Sequence, residues 1–488
     1  MLIRFTSFLS ILLFAFFFVA CETPVEPVAE RPNVVIILAD DMGYGDPGAY
    51  NPDSKIPTPH MDRLAAEGMR FTDAHSPSGV CTPTRYGLLT GRYSWRTHMK
   101  KGVTRGYSPN LIDTTRTTIA KLLKNEGYAT GIIGKWHLGI GNEERLDYSK
   151  RLSPGPRTHG FDYFFGIAAS LDMVPYLFVE NEMALELPTD SVGPSGYEYG
   201  GPYWRPGPIA PSFKHIDVHP TITTKAVEFI DVHMENAADQ PFFLYVPLAA
   251  PHTPWLPTEN FQGISQAGGY GDFTAEVDWT VGQVIETLER QGIADNTLII
   301  IASDNGSFWI QDDIDRYDHL SNLNLRGIKA DIYEGGNRIP FIVRWPEMIE
   351  AGTVSDHLVS LVDVMATLAD IVDVELPANA GEDSYSILPE LLAQEPLTTR
   401  QDLIMHSSEG MFAIRKGDWK LIEGLGSGGF TLPKFVEPAP GEPAGQLYNL
   451  ADDLQETTNL YAERPEIVAE LTDLLNQHRD QGFSRIIE

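Results

Sequence analysis

The sequence predicts an α/β protein: a mostly parallel sheet flanked by helices, followed by a smaller C-terminal α+β domain. Three observations predict it. Asn33–Ala39 is an unbroken β-rich apolar run, the pattern of a strand buried on both faces of a parallel sheet. Strand-like and helix-like stretches then alternate along the chain, which is how crossover-connected parallel strands read. After about Ala380 the pattern changes to short strands set close together, closed by an amphipathic helix. The 488 residues leave room for two or three domains. A composition 42% hydrophobic and 21% charged excludes a disordered chain.

The elements follow in order. Asn33–Ala39 runs directly into Asp40-Asp41-Met42-Gly43. Apolar residues at helical spacing predict helices over Thr58–Glu67 and Thr117–Glu126, and a strand follows at Ala129–Ile133. Thr82–Leu89 predicts a helix that tolerates Pro83 in its first turn. Gly160–Pro220 is rich in Gly, Pro and aromatics, among them Tyr163, Phe164, Phe165, Tyr176, Tyr197, Tyr199, Tyr203 and Trp204. It is expected to be a long irregular insertion forming a pocket wall. Helix over Ile222–His233, strand over Phe242–Pro247, helix over Phe273–Gln291 and strand over Thr297–Ala302 resume the alternation. Leu403–His406, Met411–Arg415 and Trp419–Ile422 read as antiparallel strands, and Glu466–Arg479 as the closing helix. Acidic and polar residues cluster just past the strand ends, where open α/β sheets hold ligands.

The N-terminus carries an address. Arg4 precedes an apolar stretch, Phe8–Ala20, too short to span a membrane and suited to an export signal. It ends in Val19-Ala20-Cys21, which resembles a bacterial lipoprotein signal in which Cys21 is lipidated; an ordinary cleaved signal peptide is the alternative. The expected organisation is therefore signal 1–20, tether 21–31, main α/β domain 32–380 and C-terminal subdomain 381–488. The protein is expected to be exported and held at the cell envelope by a lipid anchor. With 36 Lys+Arg against 67 Asp+Glu, the net charge is −31. That argues against a nucleic-acid partner, which would call for a basic face. Two cysteines, Cys21 and Cys81, exclude a disulfide scaffold.

The chemistry concentrates in a few stretches. Asp40, Asp41, Asp304 and Asn305 offer hard oxygen ligands after two apolar strands, a donor set that suits Ca²⁺, with Mg²⁺ second. The decisive stretch is Cys81-Thr82-Pro83-Thr84-Arg85, extended by Leu88-Leu89-Thr90-Gly91-Arg92. It resembles the C-x-P-x-R signature of type I sulfatases. Gly134-Lys135-Trp136-His137-Leu138-Gly139, Ala250-Pro251-His252-Thr253-Pro254, Ser303-Asp304-Asn305-Gly306 and Leu325–Pro340 resemble further blocks of that family, over about residues 32–346. The surroundings of Cys81 and Gly134–Gly139 look most like the arylsulfatase and N-acetylgalactosamine-6-sulfatase branch.

The resemblance implies an alkaline-phosphatase-like fold and a sulfuric ester hydrolase acting on a sulfated polysaccharide or glycan. It implies that Cys81 is oxidised to formylglycine by a formylglycine-generating enzyme. The hydrated aldehyde then offers one hydroxyl to attack sulfur and a second to expel sulfate. It assigns the metal to Asp40, Asp41, residue 81, Asp304 and Asn305. Arg85, Lys135 and Lys329 become the cations that receive an anionic ester. His137 assists the elimination, and His252 with Lys329 attends the leaving oxygen. Two alternatives stand beside this reading: a phosphoester or phosphonate hydrolase of the same superfamily, and a non-catalytic glycan-binding surface lipoprotein.

Overall fold

The computed structural model describes residues 31–394 and 400–485. The signal segment, most of the tether and Cys21 lie outside the described residues. Ten strands form the main sheet: β1 (Asn33–Asp40), β2 (Met69–Phe71), β3 (Ala129–Lys135), β4 (Tyr163–Ile167), β5 (Val179–Glu180), β6 (Met183–Ala184), β7 (Phe242–Pro251), β8 (Thr297–Ser303), β9 (Phe341–Arg344) and β10 (Thr353–Ser355). Their order across the sheet is β10-β2-β9-β8-β1-β7-β3-β4-β5-β6. The central five, β8-β1-β7-β3-β4, are mutually parallel. Antiparallel β9 and β5 flank them, so the sheet is mixed at its margins.

The predicted central strand is the central strand. Residues Val34–Asp40 are buried, and β1 pairs with β7 on one side and β8 on the other. Helices α1 (Pro59–Glu67), α2 (Cys81–Thr90), α3 (Ile119–Asn125), α4 (Val218–Ala237) and α5 (Gly268–Arg290) accompany the sheet. Every residue of α2 is buried. Asp278 on α5 accepts the His60 and Met61 backbone N–H groups, tying α5 to the first turn of α1.

The stretch Gly160–Pro220 is less irregular than its composition suggests. Tyr163–Ile167 is β4, a full member of the main sheet beside β3. Phe164, Phe165 and Tyr176 belong to the hydrophobic core rather than to a pocket wall. Trp204 stacks on His215. Apolar burial outweighs the turn-forming Gly and Pro residues that flank β4.

Beyond the main sheet, β11 (Asp402–His406), β12 (Phe412–Lys416), β13 (Trp419–Ile422) and β14 (Gln446–Asn449) form an antiparallel sheet. Helix α6 (Pro465–Gln481) buries Leu471 and Leu475 in its core. That core also takes in Tyr93, Trp95, Ile332 and Tyr333 from earlier in the chain. The described residues from Arg31 onward thus form one compact unit.

Candidate active site

The carboxyl ends of neighbouring parallel strands converge on one point. Strand β1 ends in Asp40, followed by Asp41 in a left-handed backbone conformation (φ 68°). Beside it β8 ends in Ser303, and Ala39 pairs with Ser303 across the two strands. The Asp304 N–H continues that pairing onto the Ala39 carbonyl, at 3.0 Å. The two acidic turns predicted from separate stretches of sequence are therefore one site. The Asp41 N–H donates to Asp304 Oδ1 at 3.1 Å, and Asn305 Nδ2 donates to Asp41 Oδ1 at 2.8 Å.

Helix α2 supplies the next two groups. Cys81 is its first residue, so the helix N-terminus points at the site, a favourable setting for an anion. Cys81 Sγ lies 3.3 Å from Asp40 Oδ1. One turn on, Arg85 is fully buried and reaches Asp304 Oδ2 through Nη2 at 2.8 Å and Nε at 3.1 Å. Its Nη1 donates to the Lys135 carbonyl, which fixes the end of β3.

The remaining cations rest on the carboxylates. Lys135 Nζ lies 2.5 Å from Asp40 Oδ2. Lys329 Nζ lies 2.6 Å from Asp41 Oδ2 and donates to the Tyr199 hydroxyl at 3.0 Å. Three buried acids thus face three buried bases, and removing any one member would leave an uncompensated charge.

Two histidines complete the cluster. His137, two residues past β3, sits at φ 56° and places Nε2 2.8 Å from the Thr104 carbonyl. The carbonyl can only accept, so Nε2 carries the hydrogen and Nδ1 is left as the lone-pair nitrogen. Nδ1 is buried without a partner. His252 follows β7; its Nδ1 faces the Thr253 carbonyl, and its Nε2 lies 3.3 Å from the Tyr199 hydroxyl and 3.7 Å from Asp41 Oδ2.

The electrostatics follow from burial and these pairs. Burial lowers the pKa of His137, and the charges of Lys135 and Arg85 lower it further, so the ring is neutral. Burial and Lys329 lower His252 likewise. Burial alone would raise Asp40, but the Lys135 charge beside it holds it well below the usual carboxylate range. Asp304 is pushed up to about 7 by burial and the Asp40 charge. Burial and the carboxylates of Asp304 and Asp40 push the Cys81 thiol up, so unmodified Cys81 is a thiol and not a thiolate nucleophile.

The donor set fits a hard cation. Asp40, Asp41, Cys81 and His252 each offer an atom within 4.8 Å of the others. Asp304 and Asn305 adjoin this group through Asp41, and Asn305 Oδ1 is a buried acceptor with no protein partner. Three carboxylates crowded so closely are better satisfied with a divalent ion among them. His252 joins the cluster although the sequence reading gave it no metal role; whether a residue near the site is ligand or proton carrier is not a matter of spacing.

A cavity of about 420 Å³ opens above Cys81, with His137, His252, Lys329 and Tyr199 in its wall. All ten predicted catalytic and metal residues lie at or beneath it. Tyr199, seen in the sequence only as one of many aromatics, links Lys329 to His252. Of the predicted aromatic wall, Tyr199 alone lines this cavity.

The comparisons decide the family. A family model described as Sulfatase matches residues 32–374. The chain belongs to the sulfatase family. Residues 329–481 of this sulfatase match a second model, N-sulphoglucosamine sulphohydrolase, C-terminal. An N-acetylgalactosamine-6-O-sulfatase of Bacteroides thetaiotaomicron is 37% identical to it over 485 residues, covering 92% of this chain and 93% of the relative. Human steryl-sulfatase is 30% identical, covering 79% and 74%. A solved structure described with the metabolism of multiple glycosaminoglycans by Bacteroides thetaiotaomicron superposes with a TM-score of 0.82 at 36% identity, covering 92% of this chain and 99% of that one. The sulfatase is a sulfuric ester hydrolase. Relatives named for a sugar sulfate and for a steryl sulfate both match this chain in sequence, so family membership alone does not name the alcohol.

Proposed function

We propose that this sulfatase removes sulfate from a sulfated glycan outside the cytoplasm, through a formylglycine made from Cys81 and a bound calcium ion. The observation that carries the reading is the position of Cys81. It stands at the start of α2, at the floor of a cavity, among Arg85, Lys135, Lys329, His137 and His252. Asp40, Asp41, Asp304 and Asn305 would hold the ion, which offsets sulfate charge when bound. A hydrated formylglycine supplies the attacking hydroxyl and a second hydroxyl that allows sulfate to leave.

The chain's own groups do the rest. Lys329 lines the cavity and can receive a sulfate oxygen, and Lys135, buried on Asp40, adds positive charge beneath the floor. Arg85 fixes Asp304 and the end of β3. His137 Nδ1 is an unoccupied base, suited to taking the proton released as sulfate is expelled. Lys329, held as an ammonium by Asp41 and adjoined by His252, is the donor that stabilises the departing alcohol oxygen. The Bacteroides relative's name makes N-acetylgalactosamine 6-sulfate the first substrate to try. Export and lipidation at Cys21 are proposed on the signal sequence; labelled palmitate in wild type and its absence in Cys21→Ala test them.

The test is sulfate release from 4-nitrophenyl sulfate and from a panel of sulfated monosaccharides led by N-acetylgalactosamine 6-sulfate, together with intact mass. Conversion of Cys81 lowers the mass by about 18 Da. In a host that converts only cysteine, Cys81→Ser folds but loses turnover. An unconverted wild type with full activity, or a fully active Cys81→Ser, overturns the formylglycine reading.

A further inference from the structure

We infer that Asp172 and Arg205 read a free hydroxyl on the sugar residue that carries the sulfate, and so set which sulfated sugar this enzyme accepts. The inference rests on the glycan sulfatase reading above. Strand β4 lies next to β3, and the chain leaving it at Ile167 runs through Ser170 to Asp172, both of which line the cavity above Cys81. Ser170 Oγ and Asp172 Oδ1 are buried, and neither has a hydrogen-bond partner. A buried carboxylate oxygen with no donor is costly and calls for an explanation. Because Asp172 lines the cavity, what occupies the cavity is the natural source of that donor.

The other carboxylate oxygen is spoken for. Asp172 Oδ2 forms an ion pair with Arg205 Nη1, and Arg205 also lines the cavity. The pair is fixed at both backbones: Arg205 N–H donates to the Asp172 carbonyl at 3.2 Å, and the Tyr176 hydroxyl lies 2.9 Å from the Asp172 carbonyl and 2.8 Å from the Arg205 carbonyl. Tyr176 is itself buried, so acceptor and donor are held in place before anything binds. Among the described residues, Arg205 Nη1 makes the hydrogen bonds to Asp172, and the guanidinium lies over the Tyr203 ring at 5.5 Å, leaving Nε and Nη2 without a protein acceptor.

The pair therefore places a buried, unpaired acceptor beside a partly exposed guanidinium in the cavity wall. A second sulfate or a carboxylate has no proton for Oδ1. A hydroxyl both donates and accepts, and matches both sides. A site built to bond a hydroxyl discriminates strongly against a substrate that lacks it, because its buried groups are then left unpaired. An aryl sulfate makes no such contact.

The experiment compares kcat/KM for 4-nitrophenyl sulfate, N-acetylgalactosamine 6-sulfate (or whichever panel sugar is cleaved fastest) and the deoxy forms of that sugar. In wild type, removing one ring hydroxyl lowers kcat/KM on the order of 100-fold. In Asp172→Asn, which keeps the side-chain shape, the sugar-to-aryl ratio of kcat/KM falls on the order of 100-fold, and the deoxy form no longer differs from its parent. Arg205→Gln, at a partly exposed position, provides a second variant should Asp172→Asn fail to fold. A sugar-to-aryl ratio unchanged in both variants, or a deoxy effect that persists in them, overturns the inference and leaves the pair structural. A wild type inert toward every ester tested overturns the proposed function instead.

Discussion

At the scale of single residues, the site is a balance of buried charge. Asp304 takes the Arg85 guanidinium on one oxygen and the Asp41 N–H on the other. Replacing it with Asn keeps the shape and removes the charge, so the cation site loses one of its three carboxylates and Arg85 keeps only the more distant Asp40, at 3.6 Å. Asp304→Asn is expected to lose bound metal and to fall on the order of 100-fold or more in kcat. Metal analysis of the purified variant checks it, and wild-type metal content with wild-type rate would show that the ion lies elsewhere. Chelation of wild type should have the same effect, with Ca²⁺ restoring activity better than Zn²⁺, because the donors are mostly hard oxygens. These residues were legible in the sequence because each sits in a short motif after a recognisable strand. Asp172 and Arg205 were not, since their chemistry exists only once residues 33 apart in the chain are brought face to face. Tyr199 was visible as an aromatic, but nothing local said that its hydroxyl would stand between Lys329 and His252.

At the scale of elements, strand β3 shows how backbone geometry places side chains. Gly134, one residue before Lys135, has φ 142°, and a Cβ there would fall 1.9 Å from the Pro247 carbonyl oxygen on β7. The neighbouring β4 comes equally close, a Cβ on Gly166 falling 1.7 Å from the Gly134 carbonyl oxygen. Two of the three strands meet there through glycine, Gly134 on β3 and Gly166 on β4, and this close approach sets the path of β3 into Lys135 and His137. Gly134→Ala is expected to cost about 2–4 kcal/mol and to reduce activity sharply by displacing Lys135. Gly127→Ala is the control: φ is 90°, but nothing lies within 4 Å of its Cβ. It should cost only backbone strain, about 1–2 kcal/mol, with activity intact. Urea unfolding of both variants separates the clash from the strain, and equal losses would remove the packing argument. The strands around the site were legible where they are long and apolar. Strand β4 was not, because five residues inside a Gly- and Pro-rich stretch carry no decisive period, and only its pairing with β3 makes it a strand.

At the scale of the whole molecule, the C-terminal sheet is bound to the catalytic part by buried charge as well as apolar packing. Lys420 on β13 is fully buried between Glu334, at 3.0 Å, and Glu456, at 2.8 Å. Glu334 also meets His75 and Arg338, each at 2.9 Å, and it opens the short helix Glu334–Asn337 that follows the Lys329 loop. Sequence could place a strand at Trp419–Ile422, but its alternation could not say that Lys420 points into a charged core shared with residue 334. Burial alone would raise Glu334, yet the Lys420 charge holds it well below the usual range. Glu456 is pushed up to about 7 by burial and the Glu334 charge, with Lys420 acting the other way. A carboxyl whose pKa is higher folded than unfolded favours the fold at low pH, and that contribution is lost as pH rises from about 4.5 through about 7. Lys420→Met removes the cation that makes ionisation of Glu456 tolerable. The variant should lose about 3–5 kcal/mol, as expected when one partner of a buried pair is deleted. The sign of the pH effect follows: at pH 5 Glu456 is protonated and the deficit is smaller, while at pH 8 Glu456 is ionised with no cation of its own beside Glu334, which keeps His75 and Arg338, and the deficit is larger. Activity should fall with stability, because the Lys329 loop is anchored through Glu334. Urea denaturation at pH 5 and pH 8 measures both deficits, and equal values at the two pH values would mean that Lys420 acts through packing rather than charge.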